Sequence, residues 1–194
     1  MSNTPRPSSP LLRSPGQRRG DPETTHRVAV VVGNPKPVSR TYEAALTLAE
    51  RLGGADLVID LADHTGELFD WSSATVNELV EEVAASEVVI VASPTYKATY
   101  TGLLKVFLDR FPHQGLGEVT AIPLMLGAAD VHALSVEHGL RPLLVELGAS
   151  VPTRALFVLD SEHADAAPYD AWFAKAEPFL PAPASPRPSQ AVSA

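Results

Sequence analysis

Two cations and two hydroxyls fall within one short segment, Gly33-Asn34-Pro35-Lys36-Pro37-Val38-Ser39-Arg40-Thr41. The apolar run before it and the periodic run after it mark it as a strand-to-helix loop. The free N–H groups at a helix start, with the helix dipole behind them, attract an anion. Ser39 and Thr41 add hydroxyl donors, and Lys36 and Arg40 add charge. The segment lacks the Gly-Lys-Ser/Thr ending of a Walker loop and is not a G-x-G-x-x-G dinucleotide loop. A plain helix start capped by Ser39 is the alternative, though capping alone accounts for only one of the two hydroxyls.

A second loop begins at Ser93-Pro94-Thr95-Tyr96-Lys97 and runs through Tyr100 to Gly102. The turn after Pro94 can present backbone N–H and C=O groups to the edge of a planar ring, with Tyr96 and Tyr100 offering flat apolar faces. A third, Gly127-Ala128-Ala129-Asp130-Val131-His132, is built of small residues that let a ring approach the backbone closely. His132 is a candidate modulator there, or a histidine at a helix start with no redox role. Further on, Pro142 removes the N–H that the carbonyl of His138 would use. A kink or wide turn is therefore expected over His138 to Pro142.

The elements that carry these loops follow from periodicity. Val28 to Val32 is an all-apolar strand, and further strands are expected over Leu57–Leu61, Glu87–Ala92, Val119–Leu126 and Arg154–Leu159. Helices are expected over Thr41–Leu52, Thr75–Ala85, Leu103–Phe111, Val131–Leu147 and Pro168–Leu180. The first should bury Tyr42, Ala45, Leu46, Ala49 and Leu52, and the second Val76, Leu79, Val80 and Val83. Strands alternating with helices imply a doubly wound α/β fold, a parallel sheet with helices on both faces. Five such units suit the strand order 2-1-3-4-5, which binds ligands at the carboxyl ends of its strands. All three loops lie there.

Composition narrows the function. Residues 1–26 and 181–194 are rich in proline and serine and are expected to be disordered tails around one domain, 27–180. That domain has ten basic and 21 acidic residues, a net charge of −11, which disfavours nucleic acid and anionic membranes as partners. No apolar run approaches the roughly 18 residues of a bilayer span, and no secretory h-region precedes the domain. The absence of cysteine excludes disulfides, thiol catalysis and cysteine-ligated metal and fits a cytoplasmic protein. Ser93 has no G-x-S-x-G elbow. Asp60, Asp63 and His64 lack a ligand-spacing pattern, so no metal site is expected.

The run Ser93 to Asp109 resembles the NADPH-dependent, flavodoxin-like FMN reductases, most of all those serving sulfonate monooxygenases. The first loop is similar to that family's Gly-Ser-x-Arg-x-x-Ser-x-Thr phosphate loop, with Asn34 in place of Ser and Lys36 in place of Arg. The third departs from the family's Gly-Gly-Thr/Ser at Ala128 and Ala129. The resemblance spans about Arg27 to Ser161. It implies FMN held by Gly33, Asn34, Lys36, Ser39, Arg40, Thr41, Pro94, Thr95, Tyr96, Lys97, Tyr100, Gly127, Ala128 and Ala129. Hydride would come from NADPH or NADH, and no side chain need act as acid or base. It further implies a homodimer or homotetramer and a flavin-dependent monooxygenase that receives the reduced flavin. Relatives of the sulfonate type carry an inserted residue, often Tyr, at the place of His138, where it forms a π-bulge beside the flavin. Asp70 and Trp71, similar to an acidic-aromatic segment of these relatives, are expected to be packing residues. A quinone, azo-dye or metal-ion reductase, a flavodoxin-like one-electron carrier, and a fold relative that has lost flavin are the alternatives.

Overall fold

The computed structural model describes residues 28–181; the expected tails fall outside this range apart from Pro181. Five strands form one parallel sheet: β1 (Val28–Val32), β2 (Leu57–Asp60), β3 (Val88–Pro94), β4 (Thr120–Gly127) and β5 (Leu156–Leu159). Their order is β2-β1-β3-β4-β5, as the element pattern predicts. Strands β1 and β3 are buried throughout, which explains why they are continuous apolar runs rather than alternating ones.

The pleat sorts the side chains. Val28, Val30, Val32, Ile90, Leu124 and Val158 pack under α1 (Arg40–Glu50) and α5 (Ala166–Ala176). Ala29, Val31, Val89, Val91, Ala121 and Met125 pack under α2 (Ala74–Ala84), α3 (Gly102–Leu108) and the segment ending in α4 (Arg141–Glu146). In α2 the expected face is the buried one, with Leu79 only partly covered. In α1 it is rotated: Thr41, Ala44, Ala45, Leu48 and Ala49 are buried, while Tyr42, Leu46 and Leu52 are only half-buried. Alanines 44 and 45 allow the helix to lie close to the sheet, and the larger Leu46 is left at the flank.

The single helix expected over Val131–Leu147 is three pieces. Asp130–His132 is a 3₁₀ turn, Val136–Leu140 is a π-helix, and α4 follows. Arg141 N–H bonds to Val136 O, five residues back, which defines the wide turn. Pro142 stands at the start of α4, where a missing N–H is tolerated. The wide turn expected from Pro142 is therefore present, with His138 at its centre.

β5 begins two residues later than expected. Thr120 pairs with Ser150 and Leu124 with Leu156, so the incoming chain has two residues more than β4 over the same stretch. Residues 151–155 bulge out of the ladder, and their polar backbone needs other partners. Arg141 donates to Thr153 O at 2.6 Å and Val151 O at 2.9 Å. Glu137 accepts from Ala155 N–H at 2.8 Å. Replacing Arg141 with Met strands two carbonyls, and we expect a loss of about 2–3 kcal/mol of stability, read by chemical denaturation. A change below ~0.5 kcal/mol would show that water replaces the guanidinium fully.

Candidate functional site

The three loops meet at the carboxyl edge of β1, β3 and β4. Thr101 joins the first two. Its hydroxyl donates to Gly33 O, the last carbonyl of the first strand's exit, and accepts from Leu104 N–H at 3.1 Å as the N-cap of α3. Its own N–H donates to Ser93 Oγ at 3.0 Å, and Ser93 Oγ donates to Pro94 O. Both side chains are buried. Gly33 lies so near α3 that a Cβ there would sit 2.4 Å from Leu104 Cβ, which no ordinary packing allows.

The first loop leaves β1 at Gly33 and enters α1 at Arg40. Ser39 is the N-cap, accepting from Tyr42 N–H at 3.3 Å, and Glu43 N–H reaches Ser39 O. The helix-start donors of Arg40 and Thr41 are thus the ones left to face an anion. Thr41 is 1% exposed, and its Oγ1 accepts from Asn34 Nδ2 at 3.1 Å. Asn34 Oδ1 in turn accepts from Lys36 N–H at 3.0 Å. The Asn that stands where the resembled loop has Ser therefore braces the turn internally. Lys36 and Arg40 project to solvent.

Sequence reasoning missed Asp60 as part of this loop. Its Oδ2 accepts from Val38 N–H at 3.0 Å and its Oδ1 from Ala62 N–H at 3.2 Å. Val38 has φ 46°, costly for a β-branched residue, and the carboxylate holds it there. The available signal was an acidic residue closing β2 beside the loop it braces. Asp60 was weighed only as a metal ligand; among the described residues no group of His, Asp and Glu can hold a metal ion.

The second loop is a tight hairpin. Tyr96 N–H reaches Thr99 O at 2.9 Å and Thr99 N–H reaches Tyr96 O at 3.2 Å. Lys97 and Ala98 between them have φ of 51° and 64°, left-handed positions that normally select Gly or Asn. Tyr96 is 51% exposed, Lys97 is exposed, and Tyr100 is half-buried against the core. The Thr95 hydroxyl is enclosed without a hydrogen-bond partner.

The third loop closes the cradle. Thr95 N–H bonds to Leu126 O at 2.6 Å. A Cβ on Gly127 would fall 2.7 Å from the Phe157 ring and 3.4 Å from Thr95 Oγ1. Ala128 and Ala129 are exposed at the rim, and His132 is half-buried. His138 is exposed on the π-helix, whose next residue, Gly139, would place a Cβ 3.3 Å from Thr99 Oγ1. The wide turn thus rests on the second loop.

Asp70 and Trp71 stand apart. Trp71 is 66% exposed rather than packed inside. Arg110 lies 4.9 Å over its ring and donates to the carbonyls of Leu68, Asp70 and Trp71 and to Asn77 Oδ1. Hydrogen bonds from Ser72 hold the Asp70 carboxyl below its usual range.

Thr101→Val removes both roles of the hydroxyl. We expect a loss of about 1–3 kcal/mol in denaturant titration, with Thr101→Ser restoring most of it. A Ser variant as unstable as Val would assign the effect to packing.

The model for "NADPH-dependent FMN reductase" matches residues 26–164. The chain is similar to an FMN reductase (NADPH) of Escherichia coli K12, 30% identical over 72% of this chain and 76% of that one. It is also similar to the NADH-dependent FMN reductase SfnF of Pseudomonas putida, 34% identical over 60% of this chain and 68% of that one. Among solved structures, the apo form of the NADH:FMN oxidoreductase EMOB superposes with a TM-score of 0.67. It is 31% identical and covers 86% of this chain and 100% of its own.

Proposed function

The chain belongs to the family of NADPH-dependent FMN reductases, and from that membership we propose that its three loops divide the grip on one flavin. The protein is an NAD(P)H:FMN oxidoreductase that uses FMN with NADPH or NADH. The observation that carries the loop assignment is the Thr95 hydroxyl, buried without a partner in a cradle whose other wall is Gly127. An enclosed hydroxyl left unpaired costs about 1–3 kcal/mol, and a polar ring edge seated there relieves it. The chain's own residues fit the group.

In this reading the Arg40 and Thr41 N–H groups, with Ser39, Lys36 and Arg40, hold the phosphate, while Gly33, Asn34 and Asp60 shape the turn. The peptides of Pro94–Lys97 face the ring edge, with the Tyr96 and Tyr100 faces beside it. Ala128 and Ala129, small and exposed, let it lie against the backbone at the rim, while Gly127 admits the Phe157 ring that packs beside Thr95. FMN held there would supply the acceptor for a hydride from the reduced nicotinamide, and the chain's residues would supply alignment rather than an acid or base. Tyr96 and Lys97 are exposed, so the site opens to solvent on the side where a reduced flavin would leave. We assign its consumer as a flavin-dependent monooxygenase. Val131 and Leu134, 82% and 64% exposed beside the third loop, support a homo-oligomer that covers this rim. A cytoplasmic setting goes with this reading; no helix among the described residues is long and apolar enough to cross a membrane.

Two tests follow. Lys36→Ala should weaken FMN roughly tenfold, the worth of one charge-assisted contact, and leave riboflavin unchanged in fluorescence titrations. An equal loss for riboflavin would remove Lys36 from the phosphate. His138→Ala should alter flavin affinity, flavin release or oligomeric state, followed by stopped-flow fluorescence and light scattering. If all three stay at wild-type values, the histidine is surface decoration. Nicotinamide oxidation under air that depends on added FMN is the expected activity; FMN bound with no oxidation would favour the electron-carrier alternative.

A further inference from the structure

At the opposite end of the sheet lies a groove of about 480 Å³. Residues 152–155 form one wall ahead of β5, and the last turns of α5, through Trp172 and Lys175, form the other with Phe179 of the 3₁₀ turn Glu177–Phe179 that follows. The strands are parallel, so this groove stands at their amino ends, away from the three flavin loops. Its location follows from the two-residue excess before β5. Residues 151–155 are held outward by Arg141 and Glu137 on one side. On the other, Trp172 Nε1 donates to Arg154 O at 2.7 Å. Trp172 is 9% exposed and satisfied at its N–H, so the part of its ring that lines the groove is a rigid apolar surface. Phe179, 64% exposed, forms the rim.

Charge gives the occupant its sign. Among the described cations, Arg51 pairs with Asp170, Lys105 with Asp109 and Arg141 with Glu137. Arg110 is committed to carbonyls and Asn77. Lys36, Arg40 and Lys97 belong to the flavin loops. Arg154 and Lys175 remain, both exposed and both on the groove, and no described residue forms an ion pair with either. In a domain of net charge −11, two unpaired cations beside an apolar wall mark a site for an anion with an apolar body. The chain's own segment beyond Pro181 contains Arg187 and no acidic residue, so none of its side chains supplies that negative charge.

We propose that this groove is a second binding site, for a small organic anion whose oxyanion head meets Arg154 and Lys175 and whose flat body lies on Trp172 and Phe179. Setting aside Lys36, Arg40 and Lys97 rests on the flavin assignment, whereas the groove and its two cations stand at the other end of the sheet.

The probe is 1-anilinonaphthalene-8-sulfonate, added to the full chain carrying Trp71→Phe, which leaves Trp172 as the sole tryptophan. Energy transfer from Trp172 to the bound naphthalene reports the groove, and equilibrium dialysis counts bound probe with and without saturating FMN. One probe per chain is expected, retained under FMN, with strong quenching of Trp172. The double variant Arg154→Gln, Lys175→Gln should weaken it roughly tenfold while FMN-dependent nicotinamide oxidation and the unfolding midpoint stay unchanged. Displacement of the probe by FMN overturns the proposal, because the probe then sits in the flavin site. Unchanged affinity in the double variant overturns it as mere apolar adhesion, and so does absence of binding to the full chain.

Discussion

The Thr101 hydroxyl is the constraint on which the site depends. One oxygen caps α3 and ties that helix start to Gly33 O, so the exits of β1 and β3 cannot move separately. The contact is buried, where an unmade hydrogen bond has no water to fall back on. It also accounts for Gly33. With α3 drawn in this far, Leu104 occupies the space of any Cβ. The glycine at the head of the first loop therefore answers a packing demand set in the second.

With that junction fixed, the loops can hold unfavourable backbone. Four non-glycine residues of the described chain have positive φ, and Val38, Lys97 and Ala98 are three of them. Each sits at the apex of a loop facing the site, and each costs of the order of 1–3 kcal/mol. The compensation is local and identifiable. Asp60 takes the Val38 N–H with a buried carboxylate, and the Tyr96–Thr99 pair closes the turn over Lys97 and Ala98. The two bonds of the Asp60 carboxylate go to backbone donors, the N–H groups of Val38 in the loop and Ala62 beyond β2. Lys36 and Arg40 of the same loop remain exposed to solvent.

Much of this was legible in the sequence. Uninterrupted runs such as Val28–Val32 and Val88–Val91 announce strands covered on both faces, and with the helices between them they set the parallel order. The loops were placed because a strand's end and a helix's start bracket them. Less legible was whatever depends on distance between segments. The face of α1 was misread because Ala44 and Thr41 carry little hydropathy yet sit where the helix meets the sheet. Asp60 belongs to the first loop only through folding, since 22 residues separate it from Val38. Trp71 was expected to pack, and its partner, the guanidinium of Arg110, lies across the surface, a pairing that only folding brings about. Pro142 did announce the wide turn, because a missing N–H is a local fact.

That turn shows how a local irregularity can serve two distant needs. A regular helix through Val136–Glu146 would present a different set of side chains to each neighbour, since one inserted residue rotates all that precedes it by about 100°. With the π-turn in place, Gly139 meets Thr99 of the second loop on one flank. Glu137 and Arg141 meet the bulged backbone of 151–155 on the other. Withdrawing Arg141 leaves two carbonyls of the bulge unpaired. Regularising the helix rotates Gly139 away from a position where even a methyl group would crowd Thr99. The two-residue excess before β5 and the one-residue excess before α4 are thus matched defects, each supplying the geometry that makes the other tolerable.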